Sequence, residues 1–176
     1  MTHWETLYDK AVDNYGLITT AQATEYGINP AELPRWVKMG RLEKRGHGVY
    51  RLSQHNPTDY DYYAEAVMFA GEGAVIYGES VLAMMNLALV NPSKVHVATR
   101  SRLRKKLPDW MRIVPRVRVD EPVFYKGIPC QSIANAIITC RKSVPQERLR
   151  MAMVDARNQG FITMREETKL KKELAK

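Results

Sequence analysis

Leu33-Pro34-Arg35-Trp36-Val37-Lys38-Met39-Gly40, followed at once by Arg41-Leu42-Glu43-Lys44-Arg45-Gly46-His47-Gly48-Val49-Tyr50-Arg51-Leu52, is the stretch whose reading decides the fold. Its first half predicts a helix reaching Met39, opened by Asn29-Pro30-Ala31-Glu32, which has the form of a cap, a first-turn proline and an acid. Pro34 complicates that start, because an interior proline removes a hydrogen bond. Either the first turn is separate and the main helix begins near Pro34, or the helix bends there. The second half consists of two short extended runs around a glycine-bearing turn, the pattern of a hairpin.

Upstream, Trp4, Leu7, Tyr8 and Ala11 recur at helical spacing, and Val12 and Tyr15 extend the stripe to Gly16, which predicts a first helix over 3–15. Thr19 or Thr20 can cap a short second helix through Tyr26, with Gly27 as its stop. Three short helices and a hairpin are the elements of a winged helix-turn-helix, whose third helix enters the DNA major groove. Trp36 and Val37 then lie toward the core or a groove wall, leaving Arg35 and Lys38 outward.

Asn56-Pro57-Thr58-Asp59 reads as a linker, so the winged domain is assigned to 1–55 and a second domain to 56–176. That second part predicts helices near 60–70 and 81–87 and strands at 94–100 and 111–119. A short strand and turn follow over 123–129, then helices over 132–140 and 145–158. Thr163 with Glu166 forms a capping box for a last charged helix. The fold class is α+β, a winged helix-turn-helix followed by a mixed α/β second domain.

The chain has 176 residues, 45% of them hydrophobic, enough to bury real cores. Its formal charge of +8 is segregated: residues 1–55 carry 7 basic and 6 acidic side chains, 56–93 none and 5, 94–118 nine and one, and 119–176 eleven and 7. Such a balance suits an acidic partner. Two clusters stand out as a nucleic-acid surface. Arg35, Lys38, Arg41, Lys44, Arg45 and Arg51 oppose only Glu43 in the third helix and wing, with His47 at the turn. Arg100, Arg102, Arg104, Lys105 and Lys106 crowd a loop after the first strand of the second domain. The first cluster is suited to reading bases and the second to holding phosphates.

Other function classes find less support. Cys130 and Cys140 are the only cysteines and lack metal-ligand spacing; with no leader-like start at Met1 and no long apolar run, they fit a reducing cytoplasm and no membrane span. The four histidines lie far from both cysteines, so no metal or cofactor is expected. Asp59 and Asp61 with Gly78-Glu79-Ser80 suggest a metal-dependent nucleic-acid-processing enzyme, but the turn follows the aspartates where nucleotidyltransferases place it before them. The two aspartates read more simply as first-turn decoration of a helix. A protein-interaction module that no longer reads DNA is the other alternative.

Gly16-Leu17-Ile18-Thr19-Thr20-Ala21-Gln22-Ala23, Gly27-Ile28, Leu33 to Lys44 and Gly48-Val49-Tyr50-Arg51-Leu52 together resemble the N-terminal winged domain of AbiEi-type antitoxins of bacterial abortive-infection systems. Tyr77 to Ala83, Lys94 to Ala98 and Ile128 to Ala136 resemble later parts of that family, although an arginine and an aspartate common among relatives are absent from the last stretch. The resemblance implies the antitoxin of a type IV toxin–antitoxin pair, which represses its own operon through inverted repeats in promoter DNA. Its genetic partner would be a nucleotidyltransferase-like toxin, without direct contact being assumed. The second domain would carry the antitoxic or regulatory role, and a monomer binding DNA cooperatively is a compatible state.

Overall fold

Thr2 and Glu5 close a capping box that starts helix α1 (His3–Val12), a signal that lies one turn ahead of the apolar stripe. The computed structural model describes residues 1–176 and divides into two compact units, Met1–Gly71 and Glu72–Lys176.

In the first unit α1 stops at Val12, short of the predicted Tyr15, because Tyr15 and Gly16 turn left-handed and lead into strand β1 (Leu17–Thr19). Thr19 then caps α2 (Thr20–Glu25) with Gln22 as its reciprocal partner. Helix α3 (Glu32–Lys38) resolves the proline question. Asn29 and Pro30 form a separate turn, in which the Asn29 side chain accepts from Ala31 N–H at 3.0 Å. The helix begins at Glu32, so Pro34 sits in its first turn, where a main-chain N–H would have no helical partner anyway. Strands β2 (Leu42–Gly46) and β3 (Val49–Leu52) form the hairpin, and β1 joins them in the order β1-β3-β2, all antiparallel. Gly48, with φ of +70°, makes the two-residue turn with His47.

The core of this unit is Leu7, Ala11, Ile18, Ala23, Ile28, Leu33, Trp36, Leu42, Tyr50 and Leu52, with Trp4 and Val37 packed against it. Tyr50 and Leu52 alternate toward this core, which leaves Arg51 on the other face of β3. Helix α4 (Asp61–Ala70) covers that face, so the helix placed behind the linker in the sequence reading packs within the first unit. Its Phe69 ring lies directly against Gly46, where any side chain would collide with it. Gly46→Ala should therefore cost the first unit about 1–3 kcal/mol by overpacking. Urea unfolding checks this, and adding Phe69→Leu should recover most of the loss.

The second unit is built on a five-stranded sheet of order β6-β5-β4-β8-β7, with β4 (Val75–Ile76), β5 (Val95–Thr99), β6 (Met111–Pro115), β7 (Val123–Tyr125) and β8 (Ile128–Cys130). It is mixed: β5 runs parallel to β6 and β4 to β8, while β4–β5 and β7–β8 are antiparallel. Helices α5 (Glu79–Met84), α6 (Ile133–Thr139), α7 (Gln146–Asn158) and α8 (Met164–Leu174) accompany it. The Thr163–Glu166 capping box opens α8 as expected. Buried Gln131 ties the unit together, accepting from Gly78 N–H at 3.0 Å and donating to the Thr139 hydroxyl at 2.9 Å. Cys130 and Cys140 are free and buried, and burial pushes both thiols up to about 12, far from thiolate chemistry at neutral pH.

Candidate nucleic-acid interface

Helical spacing sorts α3 into two faces. Leu33 and Trp36 are buried, while Arg35 and Lys38 are exposed on the opposite side. Trp36 is fixed by an edge-on contact with Trp4, ring centroids 5.2 Å apart. Arg35 touches only Glu32 at 3.4 Å, with its own side chain 70% exposed; an ion pair this solvated is worth little and yields readily to another anion. Arg41 follows the helix, exposed, its guanidinium 5.0 Å above the Trp4 ring. The contact orients the cation without neutralising it.

On the wing, Lys44 and His47 are exposed. A register shift between Lys44 and Gly46 makes Arg45 the extra residue of a bulge, and bulges re-aim side chains. Arg45 Nε reaches Glu65 at 3.3 Å, and its Nη1 lies 3.9 Å from Glu43.

Arg51 departs from the sequence reading. It was expected among the DNA-facing cations, but it is 9% exposed, its Nη1 2.9 Å from Glu65. The reason is topological: β3 is the central strand, and α4 closes the face on which alternation would have left Arg51 in solvent. Glu65 is the residue that sequence reasoning missed. Nothing marks it locally except an acid at the centre of an apolar helix.

Asp61 is likewise occupied. It is buried, accepts from the Thr58 hydroxyl at 2.7 Å and lies 3.0 Å from His55 Nε2. Burial works to raise its carboxyl, but the bonds from Thr58 and His55 outweigh it and hold the group below the ordinary Asp value. Ser80 is fully buried and accepts from His96 N–H at 2.8 Å. Asp61 and Ser80, two of the groups considered for a phosphoryl-transfer site, thus serve as internal supports, while Asp59 is exposed. No group of three or more His, Cys, Asp or Glu side chains is arranged to hold a metal ion.

In the second unit, Arg100, Arg102, Arg104, Lys105 and Lys106 are all exposed on the connection between β5 and β6, while Leu103, Leu107, Pro108 and Trp110 turn partly inward. Parallel strands need a crossover, and here it is an irregular basic loop where a helix is usual. No helix of the chain is long and apolar enough to cross a membrane.

The first unit is thus a winged helix-turn-helix, followed by a mixed α/β unit, a class with the capability to bind nucleic acid. Residues 5–53 match the model of the family described as "Transcriptional regulator, AbiEi antitoxin". No curated protein matches the chain. Among solved structures, the RV2827C protein from Mycobacterium tuberculosis is similar at 12% identity and a TM-score of 0.46, over 97% of this chain and 71% of that one.

Proposed function

We propose that the protein is a DNA-binding transcriptional repressor and the antitoxin of a type IV toxin–antitoxin pair. It represses its own operon through inverted repeats in promoter DNA and counteracts a nucleotidyltransferase-like toxin encoded beside it. The observation that carries this reading is the pairing of an α3 face bearing Arg35 and Lys38 with an exposed wing, in a module whose residues 5–53 match the AbiEi family. Arg35 and Lys38 read base edges in the major groove, Arg41, Lys44 and His47 hold the flanking backbone, and Arg45 joins them only by leaving Glu65. Arg51 has no part in the contact. The winged domain, assigned to 1–55, works with α4 attached, and the mixed α/β unit carries the antitoxic role.

Fluorescence anisotropy with the chain's own upstream region and with scrambled DNA of equal length tests the reading in about 0.15 M salt. The operator should bind tighter. Arg35→Ala or Lys38→Ala should each reduce that preference by about 1–3 kcal/mol. Equal affinity for operator and scrambled duplex would end the proposal.

A further inference from the structure

The parallel register of β5 and β6 sets His96 directly beside Arg112. Lys94, in the bend just before β5, reaches the same cleft. These three, with Ser93 and Met111, line a cleft of about 340 Å³ where the two strands begin. No carboxylate lines it. Neither Lys94 nor Arg112 makes an ion pair, whereas Arg118 further along the chain is held by Asp120 at 2.7 Å. The strand that bears His96 is anchored on its β4 side, its N–H donating to the Ser80 hydroxyl and its carbonyl accepting from Tyr77 N–H at 3.0 Å.

We propose that this cleft is a binding site for a phosphate group. Arg112 and Lys94 supply permanent charge, and the Ser93 hydroxyl and His96 imidazole supply directional donors. Two fixed cations and a third that can be recruited suit an anion of charge about −1.5 to −2, such as a phosphomonoester, better than a single carboxylate. A guanidinium fork beside an ammonium also matches several oxygens on one centre. Burial and then the Arg112 charge hold His96 below the usual imidazole range, with Glu79 of α5 opposing them more weakly, so the local field is positive. The site does not rest on the DNA reading of the wing. The phosphomonoester charge favours a nucleotide or free phosphate as the source; a nucleic-acid backbone, whose phosphodiester carries a single charge, is the other source the test distinguishes.

The test is NMR of the histidine rings in the full chain, titrated with inorganic phosphate, a nucleoside 5′-monophosphate, a DNA duplex, and sodium chloride at matched ionic strength. A bound phosphate should raise the His96 titration midpoint by about one pH unit, as an opposite charge at contact does. The response should saturate and be absent with chloride. Arg112→Gln and Lys94→Gln should each weaken binding by about tenfold, the loss typical of one charged hydrogen bond. Saturation by the small phosphates assigns the source to a free ligand, and saturation by duplex alone assigns it to a backbone. Identical responses to phosphate and chloride, or none to any arm, would overturn the proposal. The inorganic phosphate and nucleotide titrations contain no DNA, so their effect on His96 does not depend on Arg35 and the two readings fail separately.

Discussion

Replacing Glu65 with alanine should destabilise the first unit by about 3–5 kcal/mol, the cost of leaving a buried partner charge uncompensated. Its side chain is 3% exposed and faces two guanidinium groups, Arg51 at 2.9 Å and Arg45 at 3.3 Å. Arg45 can turn to water, since a third of its side chain is already exposed, but Arg51 cannot. Its Nε and Nη2 already lack hydrogen-bond partners, so the Glu65 carboxylate is the chief compensation for that buried cation. Urea unfolding followed by tryptophan fluorescence suits the measurement, because Trp4 and Trp36 sit together in this core. The double variant Arg51→Met with Glu65→Leu should be close to the parent in stability, because a buried pair replaced whole leaves no orphan charge. If the single variant unfolded at the parental midpoint, the pair would have no structural weight and Arg51 would return to the list of free cations.

Replacing Arg102, Arg104 and Lys105 together should weaken binding to operator and random DNA alike. It should also flatten the dependence of log K on log salt by up to about 3, near one for each lost phosphate contact. The expectation rests on exposure and on charge: five cations crowd the stretch 100–106 of the connection between β5 and β6, and all five are exposed. Phosphate contacts carry affinity without a sequence code, so these variants should behave unlike Arg35→Ala and Lys38→Ala, which act on discrimination. A salt titration of the triple variant that superimposed on the parent in slope and midpoint would confine DNA contact to α3 and the wing. The loop would then belong to the antitoxic role or to solvent.

The winged helix-turn-helix was legible because its signals are local. Thr19 and Gln22 and the Leu33–Trp36 spacing, like Thr163 and Glu166 at the start of α8 in the second unit, each act within one helical turn, where hydrogen bonding and side-chain period depend on neighbours three or four residues away. Gly48 marks the wing turn for the same reason. The exposure of Arg35 and Lys38 followed from that period. Strands of two or three residues, such as β1 and β4, carry too few alternations to show.

Tertiary structure alone decided which cations remain free. Arg35 and Arg51 are equally basic and lie in equally basic surroundings in the sequence, yet one is exposed and the other is sealed under α4 by a carboxylate fourteen positions later. Alternation says that Arg51 faces away from Tyr50 and Leu52; whether that face meets water depends on what packs there, and no local rule reports it. His96 and Arg112 likewise become neighbours only through the parallel register of β5 and β6. Local hydrogen bonds and periodicity are properties of the chain, whereas burial and register are properties of the pairing of distant segments, and the charge of a side chain acquires its role from the second.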